Sequence, residues 1–185
     1  DEAPQAGAQS LTGRVRPAAG GVSVGHKDIT AGTIATAVYD RLRGGVGMPQ
    51  RYYILSNNHV LANSNAGSLG DAVLQPGPYD GGTLPADAVA GLSRFVPIRF
   101  DGECNYVDAA IAKVPFEACN REIYWIGYLK GWRPRGRVPV GLRVQKTGRT
   151  TNYTIGEVAF IHATVRVNYG GGRVATFCDQ ILTTP

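Results

Sequence analysis

The sequence predicts an all-β fold, and three observations carry the prediction. Of the 185 residues, 43% are apolar and only 18% charged, a balance that favours a packed core over disorder. The 25 glycines and 11 prolines break the chain more often than a helical bundle tolerates. Short β-branched or alternating segments recur between turn signals, with no long amphipathic helix among them, which is the rhythm of a sandwich or barrel. The length suits one globular domain or two small halves sharing an interface.

In chain order, residues 1–10 read as a loose, polar, alanine-rich arm without a hydrophobic signal region. Strand-like segments follow at 33–39, 52–56, 72–75, 88–98, 107–114, 142–146, 156–167 and 173–183. Between them lie Gly44-Gly45, Gln75-Pro76-Gly77-Pro78, Asp80-Gly81-Gly82 and Gly170-Gly171-Gly172, which favour turns through the freedom of glycine and the fixed φ of proline. Residues 58–63 suit one short helical turn after a strand. Proline and glycine concentrate over 131–139, so the expected organisation is a first half over 11–125, a linker over 126–138 and a second half over 139–185.

The formal charge is +5, and its excess lies in Lys130, Arg133, Arg135, Arg137, Arg143, Lys146 and Arg149, with no acid between them. With Trp132 alongside, such a run is compatible with a polyanion. No nucleic-acid-binding motif accompanies it, and a solvated loop between the halves explains it equally well, so no nucleic-acid partner is expected. No apolar run approaches the ~20 residues needed to cross a bilayer, and no membrane partner is expected. Cys104, Cys119 and Cys178 cannot all pair within one chain. One disulfide and one free thiol, or three buried thiols, both fit. No CxxC is present and the three histidines are scattered, so a zinc site has little support.

Two segments carry chemistry. Tyr52-Tyr53-Ile54-Leu55-Ser56-Asn57-Asn58-His59 reads as an apolar strand that runs into small polar residues and then presents a histidine. In Val107-Asp108-Ala109-Ala110-Ile111-Ala112, an aspartate opens an otherwise apolar strand. A carboxylate in such a place costs several kcal/mol unless it is paired or hydrogen-bonded, and an imidazole N–H is a suitable partner. Histidine as base with aspartate as its orienting group is two-thirds of a nucleophile-activating triad. His26, among turn residues, and His162, in a strand, read as a surface or turn histidine and a packed or exposed strand histidine.

Together these segments resemble the histidine and aspartate motifs of trypsin-like serine proteases, especially the bacterial HtrA type, in the same order and 49 residues apart. The stretch Val144 to Val158, followed by Ala163-Thr164-Val165-Arg166-Val167-Asn168-Tyr169, is similar to hairpin strands of streptogrisin-like and alpha-lytic bacterial proteases. The resemblance covers about residues 20–185. It implies a trypsin-like double β-barrel with an incomplete second barrel, a protein or peptide substrate, His59 as general base and acid, Asp108 as its orienting partner, and no metal or organic cofactor. It leans weakly toward an extracytoplasmic or secreted protein.

The departure from that pattern is the nucleophile. Ser10, Ser23, Ser56, Ser64, Ser68 and Ser93 are all the serines; none follows Asp108, and neither Gly-Asp-Ser-Gly nor Gly-x-Ser-x-Gly occurs. The favoured expectation is a truncated or cleaved chain, inactive alone, whose own C-terminal segment brings the serine as a partner. Two alternatives stand beside it: a pseudoprotease that uses the fold for binding, and a cysteine-nucleophile variant using Cys178. The last is opposed by the apolar, strand-like surroundings of Cys178, which lack an exposing turn.

Overall fold

The computed structural model describes residues 10–29, 31–40 and 51–184; the predicted arm apart from Ser10, the Gly44-Gly45 turn and Pro185 lie outside them. The described residues form β1 (Ala18–Gly20), β2 (Ser23–His26), β3 (Gly32–Thr33), β4 (Thr36–Tyr39), β5 (Tyr52–Ser56), α1 (Asn58–Leu61), β6 (Ala72–Leu74) and β7 (Ala88–Phe95). There follow β8 (Cys104–Asn105), β9 (Ala110–Val114), β10 (Cys119–Ile123), β11 (Gly127–Tyr128), β12 (Arg143–Gly148), β13 (Asn152–Asn168) and β14 (Val174–Thr183). The chain is all-β, a double β-barrel architecture built from two curled, open half-barrel sheets.

The first half-barrel is a seven-stranded sheet in the order β3-β2-β6-β7-β9-β5-β4. Its centre explains its pattern. β9 is hydrogen-bonded on both edges, to β5 and β7, so Ala110, Ala112 and Val114 point into the core while Lys113 points out. β5 lies between β4 and β9 and buries Tyr53 and Ile54. Ile54 and the inward side chains of β9 join Val22, Val24, Ile34, Leu61, Val73 and Leu92 in the main core, where each large aliphatic group contributes about 1.5–3 kcal/mol by leaving water.

The second half-barrel is a four-stranded sheet in the order β12-β13-β14-β8, and β1, β10 and β11 form a third, small sheet. Its buried cluster is thin: Ile98, Ala175 and Phe177, with Phe100, Val165 and Tyr169 packed against it. Ile155, Phe160 and Ile181, on the same sheet, stay exposed. β8 lies at residues 104–105, yet it pairs in parallel with β14, so the second sheet takes one strand from the stretch before the linker.

That junction is covalent. Cys104 and Cys178 form a disulfide with a Cα–Cα distance of 5.5 Å, and Cys119 is the free cysteine. This corrects the cysteine-nucleophile alternative: a sulfur held in a disulfide has no thiolate to offer, so Cys178 is a structural residue. The Cys119 thiol is pushed up from its ordinary range, first by burial and then by the charge of Glu117, and is no activated nucleophile either.

Candidate active site

Asp108 and His59 reach each other because β9 and β5 are neighbours. Ser56, the last residue of β5, pairs with Ala110, the first of β9, so the segments flanking that pair meet at one end of the sheet. There the chain leaves β5 and turns into α1. Asn57, at the start of the helix, makes no side-chain cap; its amide instead donates to the Asp108 carbonyl at 3.0 Å. The cap comes from Asp108, whose Oδ1 accepts the backbone N–H groups of Asn58 at 2.6 Å and His59 at 3.3 Å, satisfying donors that a helix start leaves open. Gly32 of β3 gives α1 its seat. A Cβ there would overlap the Val60 side chain, so glycine lets the helix lie directly on the strand.

The His59 ring lies against the other carboxylate oxygen, with Nδ1 2.5 Å from Asp108 Oδ2. A carboxylate only accepts, so Nδ1 carries the proton, and the neutral ring keeps its lone pair on Nε2. Asp108 is largely buried, whereas the His59 side chain is 47% exposed. Burial alone would raise the Asp108 pKa. It is outweighed by the hydrogen bond and charge of His59, the Tyr169 hydroxyl and the His59 backbone N–H, which hold the carboxyl below its ordinary range.

Beyond α1 the backbone takes three consecutive non-glycine residues through the left-handed region: Asn63, Ser64 and Asn65, with φ of 49°, 51° and 78°. Such a conformation costs a non-glycine residue roughly 1–2 kcal/mol, less for asparagine, and an amide pair between buried Asn58 and half-buried Asn65 offsets the cost. Asn58 Nδ2 donates to Asn65 Oδ1 at 2.8 Å, Asn65 N–H returns a bond to Asn58 Oδ1 at 3.1 Å, and Asn65 also binds both backbone groups of Ile98. The strained turn thereby presents Asn63 and Ser64 to a groove of 520 Å³ beside His59. Asp28 lines another part of it, and Tyr169 and Arg173, from the hairpin between β13 and β14, complete the wall.

The other histidines also have aspartates, which local sequence did not reveal. His26 is a correction: far from being a surface or turn residue, it ends β2 and is 1% exposed. Its Nδ1 accepts the Asp28 N–H at 3.2 Å, which leaves the proton on Nε2 to donate to Asp71 Oδ2 at 3.0 Å. His162, in a left-handed kink of β13, sits 2.7 Å from Asp179, which also pairs with Arg135. A histidine–aspartate contact therefore does not single out a site. What separates His59 is that its carboxylate is buried, its ring is half-exposed and it borders the groove. Among the described residues, no group of three His, Cys, Asp or Glu side chains is placed to hold a metal ion.

Tyr169, Arg173, Asn63 and Ser64 carried no individual signal in the sequence. Tyr169 belongs to the quoted Val167-Asn168-Tyr169 stretch, but its proximity to Asp108 depends on the hairpin docking 61 residues downstream. The Arg173 guanidinium lies 5.2 Å from the centre of the Phe100 ring, which holds this cation at the groove wall. In comparisons with known proteins, no family model matches the chain and no curated protein matches it.

Proposed function

We propose that His59 and Asp108 are the general-base half of a serine endopeptidase site, and that the nucleophilic serine comes from outside these 185 residues. One observation carries this reading: a buried, hydrogen-bonded carboxylate holds Nδ1 of a histidine whose ring opens onto a groove walled by both half-barrels. The curled, all-β architecture is compatible with a chymotrypsin-like fold, and the resemblance of both motifs to trypsin-like proteases points the same way.

In that chemistry, the lone pair on His59 Nε2 takes the proton of the serine hydroxyl as its oxygen bonds to the peptide carbonyl. Asp108 stays ionised and stabilises the positive ring. His59 then returns the proton to the leaving amine as the C–N bond breaks, and the acyl-enzyme remains. Water attacks it by the same route, with His59 first accepting and then donating one proton. The Cys104–Cys178 disulfide suits an oxidising compartment.

The competing reading is a binding module that keeps the fold without a nucleophile, favoured by the absence of any serine after Ser93. One experiment separates the two. The complete reading frame containing this chain, its His59→Ala variant and the 185-residue chain are each exposed to a fluorophosphonate. The expected result is labelling of the complete protein at a serine beyond Pro185, a loss of labelling rate of about 10²-fold or more in His59→Ala, and no labelling of the 185-residue chain. A complete protein that ignores the reagent, a labelling rate left unchanged by His59→Ala, or covalent modification of the short chain each overturns the proposal.

A further inference from the structure

We infer that Tyr169 is a positioning residue for the His59–Asp108 pair, an inference that rests on reading that pair as the base half of the site. Its hydroxyl donates the hydrogen bond that holds the Asp108 carboxylate from the side of the second half-barrel.

An ionised carboxylate offers about four acceptor positions, and four donors approach the carboxylate of Asp108. Oδ1 takes the backbone N–H groups of Asn58 and His59; Oδ2 takes His59 Nδ1 at 2.5 Å and the Tyr169 hydroxyl at 3.0 Å. Three of these donors belong to the first two residues of α1. They move with the helix that carries His59 and give the carboxylate no reference outside it. Tyr169 comes from the β13–β14 hairpin and supplies that reference.

The phenol is itself held in place. Its ring meets Phe100 edge-on at 5.5 Å, stacks on Phe177 at 6.4 Å and presents an edge contact to His59 at 6.0 Å. The hairpin turn closes through Tyr169 N–H to the Arg173 carbonyl at 2.9 Å. Phe177 adjoins Cys178, whose disulfide partner Cys104 lies four residues before Asp108, so one bridge tethers both ends of the contact. A ring needed only for packing would have no use for a hydroxyl aimed at a carboxylate. Burial first, then the charge and hydrogen bond of Asp108, raise the Tyr169 pKa and keep the phenol protonated as a donor.

The test uses the 185-residue chain and needs no nucleophile. In the wild-type protein, the proton shared by His59 Nδ1 and Asp108 gives a far-downfield ¹H resonance, and ¹³C-labelled aspartate reports the Asp108 titration. Tyr169→Phe is expected to move that resonance and to tighten proton binding by Asp108 roughly tenfold, about one pH unit, as loss of a hydrogen bond to a charged group requires. If both signals stay where they were, Tyr169 is only a packing residue and the proposal fails while the pair stands. If the wild-type chain lacks the downfield resonance, the pair itself fails and takes the proposal with it. Should Tyr169→Phe not fold, Asp108→Asn decides from the other side. It should bring the Tyr169 titration down toward that of an ordinary tyrosine, and an unmoved titration overturns the proposal.

Discussion

The Arg149 guanidinium, in the turn between β12 and β13, binds both carboxylate oxygens of Asp80, at 2.7 and 2.6 Å, and so ties the second sheet to the loop that follows β6. Ser23 of β2 adds a third donor to Asp80 at 2.5 Å, and the Tyr79 ring lies 5.4 Å from the guanidinium carbon. Both charged side chains are largely buried. Removing one member of such a pair strands the other in a poor solvent. Arg149→Ala is therefore expected to lower stability by about 3–5 kcal/mol in urea unfolding, far above the ~0–1 kcal/mol of a surface pair. Arg149→Lys should recover only part of the loss, because an ammonium cannot match two oxygens at once.

Acid should loosen the molecule at two carboxylates, Asp80 and Asp108. At Asp80, as at Asp108, burial alone would raise the pKa; at Asp80 it is outweighed by the hydrogen bonds of Arg149 and Ser23 and the charge of Arg149. Both folded-state values are thus depressed below the unfolded value of about 3.9. The stability they contribute is fully present above that value and is lost as pH falls through the folded-state pKa. Urea midpoints should stay flat from about pH 7 to 5 and fall below about pH 4, with a shallower fall in Asp80→Asn, whose remaining slope belongs to other groups. An Asp80→Asn slope equal to that of wild type would remove Asp80 from this account.

The disulfide makes a separate prediction about thiol chemistry and about stability. Cys104 and Cys178 enclose a sequence separation of 74, for which the chain-entropy estimate is about 4 kcal/mol, with measured bridges commonly at 2–4. Cys178→Ala should lower thermal stability by an amount in that range, and paired Cys104→Ala and Cys178→Ala changes should cost little more, since the bridge is one interaction. Iodoacetamide on the native, unreduced chain should leave both residues unmodified and react with Cys119 slowly. Alkylation of Cys178 without a reductant would restore it as a candidate nucleophile.

How far the sequence discloses this molecule depends on how local each cause is. β5 was legible because Tyr52 to Ser56 is apolar and compact, and the turn after it because Asn57-Asn58 and the residues beyond suit a short helix. The strands β1, β2, β8, β10 and β11 escaped prediction for a shared reason: they are two to five residues long, and their pairing comes from distant partners, as Ala18 does from Cys119. His59 and Asp108 could be proposed from the order and spacing of their two motifs and from the second-half stretch that accompanies them, rather than from local sequence alone. Their neighbours could not. Tyr169 reaches Asp108 only after a hairpin of the second sheet folds back, Ser64 reaches the groove only through a left-handed turn, and His26 finds Asp71 45 residues away. Half-barrel topology creates these contacts, and no periodicity along the chain encodes them.

The three histidines provide the last prediction, because the same substitution should cost very different amounts at two of them. His26 fills a sealed site, receives the Asp28 N–H and donates to Asp71, so His26→Ala leaves a cavity, an orphaned amide and a carboxylate without its partner. A loss of about 2–4 kcal/mol is expected. His59 is half-exposed, and Asp108 would keep the Asn58, His59 and Tyr169 donors after its ring is removed, since two of these are backbone groups and one is the phenol. His59→Ala should then stay within about 1 kcal/mol of wild type in the same urea measurement. A residue kept for stability resembles His26 in this comparison; one kept for chemistry can be removed cheaply. If His59→Ala proved as damaging as His26→Ala, His59 would be a structural histidine and the general-base assignment would lose its physical ground.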